Sequence, residues 1–387
     1  MINRVIAKAS ALLGVGPDHA ERQKLAAVAQ MRKEMLQVYW FRDQHQISAK
    51  GVTVRGSAAF RKAPQPDSLR LLIGGQPAAL EFTEPGEHLR NAFWYLPDTH
   101  VVGLVATAEM PPLPKADPPE HPENYLDVTL DMDRSETTEW LRTFQISPHF
   151  LSFRPVPEIP NIERVSGRGA TSYNYWNNGR TDFRRFSAMA AAHGVDVTSP
   201  KTRILDWGCG CARLTRHFRA LPDGAGRVYG IDIDPVNIGW CQENIAADGF
   251  AVTPLLPPSG VDGPFDLIFG NSVITHLKRD VMDLWLAELA RLLAPGGVAL
   301  LSFHGNFSAA AICSRNLGFW QKVRESGFDA STAAVELNDA IEDPEYYRQT
   351  FMTDKSARDI FSAHFRVEEI HAGVVSRYQN VAVLRKR

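Results

Sequence analysis

Arg203-Ile-Leu-Asp-Trp-Gly-Cys-Gly-Cys-Ala-Arg-Leu-Thr-Arg-His217 is the stretch that decides the fold. Ile204 and Leu205 make a short buried strand, Gly208 and Gly210 punctuate a turn, and a helix is expected to begin near Ala212. A second apolar strand further on ends in an acid, Val228-Tyr-Gly-Ile-Asp232. A buried strand, a glycine turn, a helix start and a second acid, in that order, describe a pocket for an adenosine-bearing cofactor.

Working outward, the pattern alternates. Strands are expected at 203–206, 227–231, 251–255, 265–269 and 297–303, with helices at 212–220, 235–247 and 279–294. Another helix is expected from Asp182 to His193, where Phe183, Phe186, Met189 and Ala190 share a face. Strands alternating with helices imply parallel βαβ units, hence an α/β fold with a doubly wound sheet. Ligands of such sheets lie beyond the carboxyl ends of the strands, which is where the glycine turn and Asp232 fall.

The N-terminal part has a different texture. Residues 17–42 carry a helical stripe (Leu25, Val28, Met31, Met35, Leu36) that runs into the aromatic cluster Tyr39-Trp40-Phe41. Short β-type runs follow at 51–56, 68–73, 100–106 and 125–130, separated by Gly and Pro turn signals, and favour a small antiparallel sandwich. Met110 to Pro122 is a proline-rich connection. The expected division is a helical segment at 1–45, a β-sandwich domain at 46–135, a linker at 136–165 and the α/β domain at 166–387.

With 387 residues, 44% of them hydrophobic and 22% charged, the chain suits one large or two ordinary globular domains. A net charge of −2 supplies no basic field of the kind nucleic acid attracts, so no nucleic-acid partner is expected. Cys209, Cys211, Cys241 and Cys313 lack paired CxxC spacing, which fits reduced thiols and no metal site. Lys8 interrupts what would be the apolar core of a signal peptide, and no 18-residue apolar run occurs. A soluble, cytoplasmic protein is expected, with residues 2–13 reading as a packed or solvated helix.

The cofactor is decided by two departures from the dinucleotide fingerprint. In Gly208-Cys-Gly210-Cys-Ala-Arg213 an arginine stands where the third glycine of G-x-G-x-x-G belongs. Asp206, two residues before the first glycine, would repel a pyrophosphate and attract a cationic amino group. In these features the stretch resembles the class I S-adenosylmethionine-dependent methyltransferases, whose first motif is an acid followed by G-x-G-x-[GA]. The resemblance extends over about residues 165–387: Phe265 to Leu277 looks like the family's fourth strand and following loop. Leu289 to Leu301 looks like the next helix, a Pro-Gly-Gly turn and the fifth strand, and residues 365–370 and 379–384 look like a closing antiparallel pair.

The resemblance implies S-adenosyl-L-methionine as cofactor, held by Asp206, Trp207, Gly208, Cys209, Gly210, Asp232, Ile233, Asn271 and Ser272. Asp232 suits the ribose hydroxyls, since a carboxylate accepts two hydrogen bonds; capping the helix before Pro235 is another use for it, one that Asp234 can also fill. The family's third acid is missing after strand three, which leaves Leu255 for the adenine. In the aromatic segment Tyr173 to Arg180, Tyr175 is expected over the cofactor and Arg180 against its carboxylate.

Methyl transfer is an in-line displacement in which the protein mainly aligns the acceptor. A hydroxyl acceptor also needs a base, and the candidates are His304, after strand five, and His276, after strand four. The loop Gly270 to Leu277 lacks the Asn/Asp-Pro-Pro-aromatic motif used on planar nitrogens of nucleic acids. The resemblance therefore points to a small molecule or glycan as acceptor, methylated at oxygen. The insertion at 305–351, with Phe319-Trp320 and Tyr346-Tyr347, is expected to act as substrate pocket or lid. The alternative is a non-catalytic cofactor-binding protein whose β-domain is the interaction module.

Overall fold

The computed structural model describes residues 19–48, 51–111, 115–117, 119–132, 142–148, 158–162, 171–221, 226–312, 316–334, 343 and 345–387. The readings made for residues 2–13, for Cys313 and for most of the linker lie outside them. The first element among the described residues is helix α1 (His19–Glu34), with Glu21 in its first turn and Arg32 and Lys33 in its last, matching the helix dipole. It buries Ala27 and Met31, but it stops short of the expected residue 42. At Val38 the period changes from helical to two: Val38 and Trp40 are buried while Tyr39 between them is half-buried. This run of β-branched and aromatic side chains is strand β1 (Val38–Ser48), so the helical segment drawn to residue 45 takes in part of the first sheet.

Among the described residues, seven more strands and one short α-helix follow in the N-terminal part: β2 (Gly51–Phe60), β3 (Leu69–Ile73), β4 (Gln76–Pro77), β5 (Ala79–Thr83), α2 (Glu87–Ala92), β6 (Val101–Ala108), β7 (Leu126–Met132) and β8 (Thr143–Ile146). They form two antiparallel sheets, ordered β1-β2-β6-β5 and β4-β3-β7-β8. Val52, Val54 and Leu104 of the first sheet share one buried cluster with Leu71, Val128 and Leu130 of the second.

Helix α3 (Ser172–Ala192) then begins almost three turns sooner than Asp182, capped by Thr171 Oγ1, which accepts from Asn174 N at 3.1 Å. The elements that follow are β9 (Arg203–Trp207), α4 (Thr215–Arg219), β10 (Arg227–Asp232), α5 (Pro235–Asn244), β11 (Gly249–Val252), β12 (Phe265–Gly270), α6 (Arg279–Leu292) and β13 (Leu293–Phe303). The chain continues through α7 (Asn306–Ile312), α8 (Leu317–Ser326), β14 (Phe328–Ala333), β15 (Arg348–Met352), α9 (Asp354–Phe361), β16 (Phe365–Val375) and β17 (Gln379–Lys386).

One seven-stranded sheet runs β11-β10-β9-β12-β13-β17-β16. Its first five strands are parallel, β17 is antiparallel to β13, and β16 is antiparallel to β17. Both faces are buried, one around Leu205, Ile268 and Trp285, the other around Ile204, Leu267 and Phe218, which explains why these strands read as apolar runs rather than alternations. The strand order reverses between β9 and β12, so a crevice opens where Trp207, Asp232 and Gly270 end their strands.

Two boundaries differ for local reasons. Helix α4 begins at Thr215 and not near Ala212, because Ala212 sits at φ 57° in the left-handed region and its chain cannot yet turn right-handed. Strand β11 ends at Val252, before the expected 255, since Pro254 has no N–H for a ladder.

The insertion covers the far end of β13. Met352 N donates to His304 O at 3.0 Å, and Thr350 Oγ1 donates to Leu277 O at 2.8 Å. Its Trp320 is buried in a cluster with Met31, Phe93, Tyr95 and Phe307, so this aromatic fastens the insertion to the N-terminal part and takes no place in the crevice.

Candidate active site

The crevice is built from the glycine turn upward. Gly208 N and Cys209 N both donate to Ile231 O, at 2.8 and 3.0 Å, which draws the turn against the end of β10. Gly210 N donates to Asp232 Oδ2 at 2.8 Å. Gly208 stands at φ 72°, and a Cβ there would lie 2.3 Å from Val273 Cγ2, so the loop after β12 closes tightly on it. Only glycine meets both conditions.

Asp206, Trp207, Gly208, Cys209, Gly210, Asp232, Ile233, Asn271, Ser272 and Tyr175 all line one cleft of about 180 Å³ open to water. Arg213, Thr253, Val273, His276, Trp285, Tyr346 and Tyr347 are among the other residues of its walls. Three polar groups of the wall are buried. Asp206 is buried, its Oδ2 accepting from Thr215 Oγ1 at 2.6 Å; burial, with a smaller contribution from the Asp232 charge, pushes its pKa up to about 7. Tyr175 Oη and Asn271 Oδ1 are buried and have no hydrogen-bond partner among the described residues. Such atoms are expensive to leave unsatisfied, which marks the cleft as made for a ligand.

Asp232 accepts from Gly210 N through Oδ2 and from Asp234 N at 2.9 Å through Oδ1, and it lines the cleft. The helix-capping job considered for it is done by Asp234, whose Oδ1 accepts from Val236 N at 2.8 Å and Asn237 N at 3.4 Å.

Three expected site residues lie elsewhere. Arg180 does not line the cleft: it is buried with its guanidinium over the rings of Tyr125, at 5.3 Å, and Phe183, at 5.0 Å. Burial lowers its pKa to about 10, and its Nε and Nη1 lack partners among the described residues. The arginine that lines the cleft is Arg213, whose Nη1 is paired with Asp182 at 3.0 Å. Leu255 is also outside the wall, its carbonyl taken by Trp285 Nε1 at 3.0 Å and Tyr346 Oη at 2.7 Å. His304 is buried beneath the insertion, stacked on Phe351 at 4.6 Å, and its Nδ1 meets Thr350 O at 3.0 Å. The pairing of β15 past the end of β13 buries His304, which does not line the cleft.

His276 does line the cleft. Its ring stacks on Tyr347 at 4.0 Å and 12°, and its Nδ1 lies 3.0 Å from Arg348 O. A carbonyl only accepts, so Nδ1 carries the proton and Nε2 keeps a lone pair. Burial lowers the pKa to about 4, so the ring is neutral at neutral pH.

Residues 204–297 match the model of the methyltransferase domain family. The chain carries a class I S-adenosylmethionine-dependent methyltransferase domain. Ribosomal protein L11 methyltransferase of Burkholderia mallei is 38% identical over 106 residues, 27% of this chain and 33% of that protein. Its namesake in Ralstonia pickettii is 35% identical over 103 residues, 27% of this chain and 32% of that protein. The chain thus covers about a third of the length of the curated relatives it matches. Among solved structures, magnesium protoporphyrin IX methyltransferase from Synechocystis PCC 6803 with bound S-adenosylhomocysteine aligns at a TM-score of 0.40 and 16% identity, over 59% of this chain and 93% of that one.

The methyltransferase cleft fits its cofactor by charge and by donor count. An amino group suits the unneutralised Asp206, ribose hydroxyls suit Asp232, and a carboxylate suits Arg213. Sequence reasoning passed over Arg213 because it served there only to exclude a third glycine. Tyr346 and Tyr347 of the insertion line the cleft, whereas Phe319 packs on Phe351 at 5.6 Å.

Proposed function

We propose that the protein transfers the methyl group of S-adenosylmethionine to an oxygen of a small molecule or glycan. The observation that carries this reading is the presence of His276 in the same cleft as Asp206, with its Nδ1–H committed to Arg348 O. Bound in the cleft, the cofactor supplies an electrophilic methyl carbon on a sulfonium leaving group. Asp206, Asp232 and Arg213 hold it, and Gly208 and Gly210 let the backbone approach. His276 Nε2 takes the proton of the acceptor hydroxyl as the new C–O bond forms, and Tyr347 fixes the ring for that task. Trp285, Tyr346 and Tyr347 give the acceptor side flat apolar faces suited to ring-shaped molecules.

The N-terminal sheets, in this reading, position the acceptor or a protein partner, and residues 305–351 form the acceptor-side cover. No helix among the described residues is long and apolar enough to cross a membrane. Cys209, Cys211 and Cys241 are free thiols, in keeping with work in the cytoplasm. The L11 methyltransferases are named for a protein acceptor, so that protein belongs in the test beside small molecules and glycans.

The test is release of S-adenosylhomocysteine over a panel of hydroxylated metabolites, glycans and ribosomal protein L11. Turnover with a hydroxylated acceptor, lost in His276→Ala, supports the proposal. Turnover with L11 alone overturns the acceptor class. Cofactor binding with no turnover on any acceptor leaves the non-catalytic reading in its place.

A further inference from the structure

Strand β17 opens on a polar pair, Gln379-Asn380, before the apolar run Val381 to Leu384. Gln379 is 4% exposed, and a buried carboxamide is costly unless its donors and acceptor are matched. In the sheet its strand is separated from β12 by β13. The side chain of Gln379 nonetheless reaches the loop that follows β12, in part by way of Ser302 of β13.

The hydrogen bonds close into a ring. Ser272 N donates to Ser302 Oγ at 2.7 Å, and Ser302 Oγ donates to Gln379 Oε1 at 2.8 Å. Gln379 Nε2 donates to Ser272 Oγ at 2.9 Å, and Ser272 Oγ donates to Gln379 Oε1 at 3.1 Å. An N–H only donates, so Ser302 Oγ accepts from Ser272 and its own proton is left for Gln379, which turns Oε1 towards it. From the other side, Thr275 Oγ1 donates to Ser272 O at 2.8 Å. The N–H, the hydroxyl and the carbonyl of Ser272 are thus all engaged.

Ser272 needs that grip. It stands at φ 64°, in the left-handed region, where a residue with a Cβ persists only when its surroundings over-determine it. One wall of the cofactor cleft depends on the conformation. Asn271, on one side of Ser272, lines the cleft with a buried Oδ1 that has no partner among the described residues. Val273, on the other, closes on Gly208, where a Cβ would stand 2.3 Å from Val273 Cγ2. His276 N then donates to Val273 O at 2.9 Å, which carries the placement on to the histidine. Gln379 and Ser302 do not themselves line the cleft, and Ser272 is their route to it.

We propose that Gln379 is a positioning residue for methyl transfer, a role that rests on the methyltransferase reading of the cleft. By bonding Ser272 and Ser302 it locks the left-handed turn that presents Asn271 to the cofactor and His276 to the acceptor. The two halves of the role have separate readouts, cofactor placement in affinity and histidine placement in turnover.

The test uses the full chain, with S-adenosylmethionine affinity read by calorimetry and folding by thermal unfolding. Gln379→Met, similar in size but without the amide, should bind the cofactor about tenfold more weakly, the loss expected when a hydrogen bond no longer holds the loop. Ser272→Ala keeps the Cβ, loses the grip and should weaken binding likewise. Ser272→Gly reaches φ 64° without strain and should bind more tightly than Ser272→Ala. Added to Ser272→Gly, Gln379→Met should cost at most about twofold, because both act on one turn. If Gln379→Met does not fold, Ser302→Ala removes the middle link with little change of volume and should weaken binding in its place. With a hydroxyl acceptor and saturating cofactor, Gln379→Met should also lower kcat by up to about 100-fold, and no further when His276→Ala is already present. A normal kcat in His276→Ala means that the base is another group; it overturns the acceptor half of the role and leaves affinity to decide the cofactor half. Unchanged affinity and kcat in the folded Gln379→Met or Ser302→Ala variant, or a loss undiminished by Ser272→Gly, overturns the role of Gln379.

Discussion

Thr215 Oγ1 donates to Asp206 Oδ2 at 2.6 Å, joining the start of α4 to the end of β9 beneath the glycine turn. A neutral hydroxyl orients the carboxylate without cancelling its charge. Burial and the neighbouring Asp232 then hold the pKa at about 7, above the ordinary 3.8. Without ligand, the folded state keeps this proton more tightly than the unfolded chain, so the residue's contribution to stability declines as pH rises from about 3.8 towards 7. A cationic ligand prefers the ionised form and reverses the balance. Affinity for S-adenosylmethionine should accordingly fall as pH drops below about 7, approaching tenfold per unit, with release of close to one proton at pH 6. Calorimetry in buffers of different ionisation enthalpy reads that proton, and Asp206→Asn should abolish both effects. A flat profile from pH 8 to 6 would show that Asp206 does not meet the cation.

Gly208→Val combines two obstacles, a φ of 72° and a Cβ position 2.3 Å from Val273 Cγ2. Moving Val273 aside also moves the loop that carries Asn271 and His276. Cofactor affinity should fall at least 100-fold, while Gly239→Ala, whose Cβ meets nothing within 4 Å, should leave it unchanged. Equal affinities for the two variants would mean that the turn does not touch the ligand.

Two arginines separate what the sequence offered from what the fold selects. Arg213 lines the cleft, and Arg213→Met should cost cofactor binding about 1.5–3 kcal/mol, or 10- to 150-fold, as the loss of a charged hydrogen bond. Arg180 lies between Tyr125 and Phe183 with part of its guanidinium unpaired, and Arg180→Met fills the space without an uncompensated charge. That variant should bind the cofactor normally and unfold at the same temperature or higher. The opposite pattern in titration calorimetry would return the carboxylate contact to Arg180.

The parallel half of the fold was legible because its strands are apolar runs ended by informative residues: Ile204 and Leu205 before Asp206, Ile231 before Asp232, Ile268 and Phe269 before Asn271. Position along the chain sufficed there, since each motif lies at the end of a strand. What escaped was whatever depends on how distant segments pack. Val38 to Phe41 follows a helical stripe, and only the facing strand β2 makes it a strand. Arg180 and Arg213 offer the same chemistry in sequence, and the rotation of α3 decides between them by turning Arg180 towards Tyr125 of the N-terminal sheets. Leu255 fell in the place of the missing acid, yet its carbonyl had two indole and phenol donors waiting from α6 and the insertion.

The two histidines test the chemistry most sharply, because the fold gives them opposite surroundings. His304 follows β13, which suggested the rim of the pocket, but Phe351, Tyr378 and Thr350 O enclose it, and burial lowers its pKa to about 3. His304→Ala removes a packed ring and should lower stability by about 2–4 kcal/mol, seen as a fall in the urea midpoint, with cofactor affinity retained. His276 lines the cleft with Nδ1 tied to Arg348 O, and His276→Ala should leave folding and cofactor affinity nearly intact. Its effect belongs in turnover, where a lost general base costs roughly 100- to 10,000-fold in kcat with a hydroxyl acceptor. A thiol or amine acceptor that needs no base should be methylated by the same variant at close to the normal rate. If His276→Ala instead lowers cofactor affinity and leaves kcat alone, His276 shapes the cofactor wall and proton removal falls to the solvent.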